Sequence, residues 1–397
     1  MKTIKETLEN KRILIWGYGR EGKSTEAFIQ NHIPVQKLDV YEGSRDGFNE
    51  EDYDYIIKSP GIVYFTDSPK YISQTILFMN EFGKCTIGIT GTKGKSTTSS
   101  LMYEVIKACG RKTVLLGNIG KPCLDLYDEI DDETLVVFEL SCHQLSKLEE
   151  APKYAMFLNL FEEHLDYYKT VDKYYAAKAN ITTHQTEADF CLLGENVPMP
   201  ETKARTRVVN ELKHDLTLQI PGDHNLLNAE FVYTMAVDIL GLNADNVKTG
   251  LESFTGLNHR LQYFTTRNGV RYYDDSISTI PEATINAVKA VPGTGVVLVG
   301  GMDRGIDYSI LVDFIKKTPD VQFVLMYDTG ARILQELGDD TLTNVHKVSD
   351  LAEAVNKAKE LAGAGSAVVL SPAAASYGVF KNFEERGDRF KELVNEN

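Results

Sequence analysis

Cysteine is scarce in this chain. The five cysteines, Cys85, Cys109, Cys123, Cys142 and Cys191, are scattered, with no C-x-x-C pair among them. That pattern argues against a zinc ribbon or a disulfide framework and fits a reducing, cytoplasmic setting. Positive charge is in deficit: 42 Lys and Arg against 57 Asp and Glu leave a net charge of −15. Such a background disfavours non-specific nucleic-acid binding, so no nucleic-acid partner is expected, and anionic ligands would need local Lys, Arg or metal sites. No apolar run approaches the ~18 residues of a membrane helix, so no membrane insertion is expected. The opening residues, MKTIKETLENKR, carry acids and lack an apolar core, so a signal peptide is not expected. Low-complexity linkers and solenoid repeats are missing too. What remains is an ordinary globular composition, 43% hydrophobic and 25% charged. At roughly 150 residues per domain, the length predicts two or three domains.

Three stretches read as separate units: 1–83, 84–256 and 257–397. In the first, the apolar run Arg12–Trp16 is followed by Gly17-Tyr18-Gly19-Arg20-Glu21-Gly22 and an amphipathic segment. Further strands are predicted at Val35–Asp39 and Tyr55–Lys58, the latter ending in Ser59-Pro60-Gly61. In the second, a strand at Thr86–Ile89 leads through a glycine-rich turn to a helix over Lys95–Cys109. Strands at Leu135–Leu140 and Tyr154–Leu158 and helices at Val171–Thr183 and His224–Leu240 follow. The third has strands at Val270–Tyr273, Gly295–Val299, Val321–Tyr327 and Ala367–Leu370. Strands alternating with helices predict an α/β fold with parallel sheets throughout.

The strongest chemical signal is Gly88-Ile89-Thr90-Gly91-Thr92-Lys93-Gly94-Lys95-Ser96-Thr97, placed between strand and helix. Phosphate oxygens need several backbone N–H donors converging on one point. Gly91 and Gly94 relieve the crowding of Cβ atoms there, and a helix N-terminus adds its dipole. Lys95 would reach the β- and γ-phosphates, and Ser96 or Thr97 would offer a hydroxyl to Mg²⁺. The alternative is a glycine-rich turn that binds nothing.

T-G-T-x-G-K-[ST] resembles the nucleotide loop of the Mur ligases and of folylpolyglutamate synthase, and other segments resemble that family in the same order. Gly117-Asn118-Ile119-Gly120 is similar to its G-N-I-G. Phe138 to Leu145 is similar to E-[LV]-S-S-[FY]-Q-L, and Asn159 to Asp166 to N-[IV]-x-x-D-H-[ML]-D. Tyr175-Ala176-Ala177-Lys178 resembles the Y-x-x-x-K segment, one residue short. His224 to Ala229 resembles G-x-H-N-x-x-N-[AV], and Gly256 to Arg260 resembles G-[LV]-x-H-R.

The resemblance implies three α/β domains: a Rossmann-like domain for a UDP substrate, a P-loop ATPase domain and a Rossmann-like domain for an amino acid. It implies ATP and two Mg²⁺ ions. Gly91, Thr92, Lys93, Gly94, Lys95, Ser96, Thr97, Asn225, Asn228, Arg260 and Asp275 would serve the nucleotide, with Lys95 and Arg260 on its phosphates. Ser96, Thr97, Glu139, His164 and a carbamylated Lys178 would serve the metals. Taken singly, Glu139, His164, Lys178 and the two asparagines each have a plainer reading as strand-end acid, satisfied histidine, solvated lysine or helix cap. Together they match what phosphoryl transfer requires: hard oxygen ligands and cations.

The N-terminal G-x-G-x-x-G leaves two readings open. With Asp39 seventeen residues after Gly22, it is compatible with a dinucleotide-binding turn and a nicotinamide-dependent dehydrogenase. In the Mur ligases a similar domain holds UDP. On that reading Gly17, Tyr18, Gly19, Arg20, Asp39, Ser59, Asn118 and His164 form the UDP-substrate side.

The segment Leu370 to Gly387 resembles S-P-A-x-[AP]-S-x-x-x-F-x-[ND]-F-[EK]-x-R-G, the signature of the family's D-glutamate-adding branch, and Gly300 to Gly305 resembles G-G-x-D-[RK]-G. The implied glutamate contacts are Thr279, Arg304, Ser376, Tyr377 and Phe383, with Phe380 assigned to core. The implied reaction joins glutamate to UDP-N-acetylmuramoyl-L-alanine through an acyl phosphate, in peptidoglycan synthesis, by a monomer whose domains close during turnover. Asp274-Asp275-Ser276-Ile277-Ser278-Thr279 departs from the family's N-D-S-K-[AS]-T by replacing a lysine with Ile277, which keeps an L-glutamate-adding ligase open. The stretch from Leu193 to Pro221 also looks shorter than usual. A nucleotide-binding sensor without catalysis is the third reading, and Lys95, Glu139, His164 and Lys178 together oppose it.

Overall fold

The chain is described by a computed structural model over residues 2–163, 165–220, 222–338 and 342–396, together with the side chains of these residues except Leu165 and Asp166. His164 therefore lies outside the described residues. The strands are β1 (Arg12–Trp16), β2 (Lys37–Tyr41), β3 (Tyr55–Lys58), β4 (Tyr71–Ile72), β5 (Thr86–Thr90), β6 (Thr113–Gly117), β7 (Leu135–Glu139), β8 (Tyr154–Phe157), β9 (Phe190–Gly194), β10 (Arg205–Val209), β11 (Gln262–Arg267), β12 (Val270–Asp274), β13 (Thr294–Gly300), β14 (Gln322–Met326), β15 (Val345–Lys347) and β16 (Ala367–Leu370).

They form three sheets, ordered β2-β1-β3-β4, β10-β9-β8-β5-β7-β6 and β11-β12-β16-β13-β14-β15. The chain divides into two compact units. One holds residues 1–217 and 223–252, with the first two sheets. The other holds 218–222 and 253–397, with the third. Among the described residues no helix is long and apolar enough to cross a membrane.

The two sheets of the first unit are parallel throughout. In the six-stranded one, the inner strands β5 and β7 are buried at every position, because helices cover both faces of a parallel sheet. The helix Lys95–Ala108 buries Leu101, Met102, Val105 and Ile106. In the third sheet β11 runs antiparallel to β12, so the fold is not parallel throughout as expected. The Gln262–Arg267 strand has no fully buried residue, and its sequence lacks the apolar run that marks its neighbours. The predicted Val35–Asp39 strand begins two residues later, because Lys37 is paired with Arg12. The predicted helix from His224 changes at Thr234 from α to a π-helical turn ending at Ile239.

Turns after β1 and β5 aim the loops that matter. Gly17 has φ +95°, and a Cβ on it would meet Ser59 Oγ at 2.7 Å. A Cβ on Gly22 would meet the Gly17 carbonyl oxygen at 2.2 Å. The helix Arg20–His32 thus packs onto its own turn at a distance only glycine permits. Gly22→Ala is expected to destabilise the first sheet by about 1–3 kcal/mol, as overpacking does, read as a lower urea midpoint.

Candidate functional site

The phosphate-type loop is held open from two sides. Asn159, following β8, accepts from the Thr92 and Lys93 N–H groups at 3.1 and 2.8 Å through Oδ1, and donates from Nδ2 to the Lys93 carbonyl at 3.1 Å. On the other side Gly94, φ +81°, faces Asn228, and a Cβ there would lie 2.7 Å from Asn228 Oδ1. Asn228 also donates to Asn225 Oδ1 at 3.2 Å. The structure thus brings Asn228 to the loop, with Asn225 beside it. Asn159 was quoted only as part of a motif and given no role. Ser96 and Thr97 lie in the first turn of the Lys95–Ala108 helix, half-buried. Exposed Lys93 pairs with Glu163 at 2.6 Å.

Lys95 and Lys178 meet at one oxygen. Lys95 Nζ donates to the carbonyls of Gly91 and Thr92, both at 2.9 Å, and Lys178 Nζ donates to the Gly91 carbonyl at 2.8 Å. Lys178 is 1% exposed. Burial and then the charge of Lys95 push its ammonium down to about 7, and burial lowers Lys95 too. Glu139, at the end of β7 and fully buried, accepts from Asn118 Nδ2 at 2.9 Å through Oε1. Its Oε2 is buried with no hydrogen-bond partner. An orphaned carboxylate oxygen beside a phosphate-type loop suits a divalent cation. Among the described residues no three His, Cys, Asp or Glu side chains converge, so a metal there would draw on hydroxyl, phosphate or carbamate oxygens as well. The Y-x-x-x-K spacing is corrected by the structure. Tyr174, one helical turn before Lys178, is buried, lies 4.9 Å from its Nζ and contacts Thr92 Oγ1 at 3.3 Å, whereas the Tyr175 hydroxyl donates to the Pro198 carbonyl.

A cavity of about 510 Å³ adjoins these groups. Gly19, Arg20, Ser59, Asn118, Lys95 and Lys178 line it, so residues expected on the UDP-substrate side and residues expected on the phosphates share one space. Glu21 and Gln144 line it as well, joined at 2.9 Å. They were missed, because nothing in the sequence brings positions 21 and 144 together. Burial raises the Glu21 carboxyl. Tyr18 bonds Glu26 instead of lining the cavity. Asp39 is not brought to the Gly17 turn. It pairs in register with Leu14, two residues before the end of β1, and Lys37 and Tyr53 engage its carboxylate. The acid near the turn is exposed Glu42, which follows the Tyr41 carbonyl bonded by Gly17 N–H. Glu42, twenty residues after Gly22, takes the place of Asp39 as the acid that could meet a ribose at this turn.

In the second unit, Arg260 is exposed. Its neighbour His259, φ +60°, is buried against Asp274 at 2.7 Å. Asp275 does not present itself to a nucleotide. Leu261 N–H, Ser278 Oγ and Ser371 Oγ occupy its buried carboxylate at 3.0, 2.5 and 2.8 Å, and burial raises it to about 6. Arg304 donates to the Thr279 carbonyl at 3.0 Å, so these two expected glutamate contacts are together. Ser376 is buried and Tyr377 exposed, while Phe383 is half-buried with its ring 6.1 Å from that of His259. Phe380 packs against the core of the third sheet, as expected.

A strand–loop–helix cradle with a buried and a half-buried lysine and an orphaned acid is the arrangement of the α/β phosphate-binding class. Residues 89–206 match the Mur ligase middle domain, and 259–374 match the Mur ligase glutamate ligase domain. The chain is 31% identical to the UDP-N-acetylmuramoylalanine--D-glutamate ligase of Clostridioides difficile, over 98% of this chain and 99% of that one. It is equally 31% identical to the UDP-N-acetylmuramoyl-L-alanine--L-glutamate ligase of Salinispora tropica, over 98% of each. The solved UDP-N-acetylmuramate-alanine ligase of Thermotoga maritima shares its fold, with TM-score 0.59 at 20% identity over 97% of this chain and 99% of that one. The chain belongs to the Mur ligase family.

Asn159→Ala should free the Lys93 N–H and carbonyl, while Thr92 N–H keeps the residue-159 backbone carbonyl, and let the loop relax, raising KM for ATP about tenfold with a smaller change in KM for the other substrates. Isothermal titration with ADP checks it independently of turnover.

Proposed function

We propose that this protein joins D-glutamate to UDP-N-acetylmuramoyl-L-alanine, consuming ATP. The observation that carries the reading is the pair of lysines, Lys178 buried and Lys95 half-buried, on the Gly91 carbonyl beside the orphaned Glu139 oxygen. A carboxylate is a poor electrophile, and ATP supplies the phosphoryl group that makes it an acyl phosphate. Lys95 and the loop N–H groups neutralise and orient the phosphates, and positioning with charge neutralisation is most of the catalysis. Residues 1–83 serve the UDP moiety, 84–256 the nucleotide and 257–397 the amino acid. Arg260 is assigned to phosphate by its motif alone.

Mg²⁺ supplies charge neutralisation between phosphate and carboxylate oxygens. Glu139, Ser96 and Thr97 are the residues that would hold it, with His164 by resemblance. Lys178 enters as a carbamate. Its amine is about half neutral near pH 7, and a neutral amine attacks CO₂, releasing a proton. The resulting anion relieves the repulsion from Lys95 and offers two oxygens to a cation. Lys178→Ala should therefore lose nearly all activity and recover part of it with short carboxylic acids. A free amine at position 178 with both metals bound would sink the carbamate.

Glutamate rests on Arg304 and Thr279. A second carboxylate needs a cation and a hydroxyl in a confined space. Two relatives of equal identity use opposite enantiomers, and the D form is chosen here on the C-terminal signature. The test is phosphate release from ATP with UDP-N-acetylmuramoyl-L-alanine and D-Glu, L-Glu, D-Asp or L-Lys. The highest kcat/KM is expected for D-Glu. Thr279→Ala and Arg304→Ala should raise KM for glutamate about tenfold or more while sparing that for ATP. A preference for L-Glu overturns the stereochemistry alone, and inactivity with either glutamate overturns the whole reading.

A further inference from the structure

Arg386, in the signature that ends at Gly387, has no part in the chemistry proposed so far. It is fully buried, and among the described residues it is the largest side chain so buried. Burial lowers its guanidinium to about 10 even though Asp274 pulls the other way. A buried cation is costly unless most of its donors are matched. Nε donates to Ser276 Oγ at 3.0 Å, and Nη2 donates to the carbonyls of Ser276 and Ala374 at 2.8 and 3.0 Å. Ser276 Oγ in turn donates to the Phe383 carbonyl at 2.8 Å, at the start of the helix that carries Arg386.

A third loop closes over the remaining nitrogen. Nη1 is buried without a hydrogen-bond partner. A Cβ on Gly301 would stand 3.0 Å from it and 2.4 Å from the Ala375 carbonyl oxygen, which accepts from Met302 N–H at 2.9 Å. The helix cannot turn to relieve this: a Cβ on Gly387 would meet His259 Nδ1 at 2.2 Å. Thus one planar guanidinium spaces three loops. Each leads within three residues to an expected glutamate contact: Ser276 to Thr279, Gly301 to Arg304 and Ala374 to Ser376. Arg304 donating to the Thr279 carbonyl shows that two of these loops meet.

We propose that Arg386 is the positioning residue of the amino-acid site, its buried guanidinium fixing the spacing of the 276–279, 301–304 and 374–376 loops. The proposal rests on glutamate being taken by Thr279, Arg304 and Ser376. A planar fork delivers donors in fixed directions, which a lysine ammonium does not reproduce.

The test compares wild type, Arg386→Lys and Ser276→Ala by steady-state kinetics and amide hydrogen exchange at 25 °C. KM for D-glutamate should rise about tenfold in Arg386→Lys and severalfold in Ser276→Ala, with KM for ATP within about twofold. Exchange should quicken in all three loops while the β13 and β16 amides keep their protection. A residue serving the core alone would not separate the two KM values. Should Arg386→Lys fail to fold, Ser276→Ala decides. Unchanged KM for glutamate and unchanged loop exchange in a folded variant overturn the proposal. A wild type that uses no amino acid overturns the glutamate reading instead, and loop exchange still decides whether Arg386 spaces the loops.

Discussion

Two ammonium groups bonded to one carbonyl oxygen set the terms for the first unit. Lys95 and Lys178 both donate to Gly91, and neither has a carboxylate within ion-pair distance among the described residues. Like charges in a poorly solvated place repel strongly, and Glu139 alone is too little negative charge to balance them. The arrangement is stable only because both ammoniums are easily discharged or compensated. Loss of a proton relieves Lys178, and an anion bound in the loop would relieve Lys95. The buried strands β5, β7 and β8, the Asn159 clamp and the Gly94 contact with Asn228 all hold the backbone where that imbalance is greatest. The site is organised by a shortage of negative charge.

The second unit solves a different problem with similar means. Its loops carry no phosphate cradle. They are drawn together by buried polar knots: His259 with Asp274, Asp275 with Ser278 and Ser371, and Arg386 with Ser276 and Ala374. Each knot joins segments far apart in sequence, and hydrogen bonds in low dielectric are strong and directional. The apolar strands β13 and β16 supply the platform, and the knots decide the shape above it.

Much of this was legible before any coordinates. Buried parallel strands read as apolar runs, and the turns after them carry glycines, so β1, β3, β5 and the Lys95 helix stood out, and with them the phosphate-type loop. What sequence spacing does not carry is register and prior engagement. Asp39 lies at a plausible distance from Gly22, yet strand pairing sets it opposite Leu14. Asp275 sits in a family motif, yet three donors already use its carboxylate. Tyr174 and Tyr175 are adjacent in sequence, and only the helix shows which one turns toward Lys178. Asn159 and the Glu21–Gln144 contact depend on neighbouring strands and loops that periodicity cannot pair.

The outer strands have a further consequence. Lys37 on β2, Arg205 and Arg207 on β10, Arg267 on β11 and Lys347 on β15 are all exposed. A sheet margin offers unpaired N–H and C=O groups to any passing strand, and charged side chains along it discourage that pairing. Lys37 and Arg207 are paired with Asp39 and Asp238, so these margins carry charge of both signs. A second copy brought up edge to edge would have to strip water from these charges where backbone pairing would begin. The polar edge residues that make some of these strands hard to recognise in the sequence thus also disfavour pairing at the sheet margins.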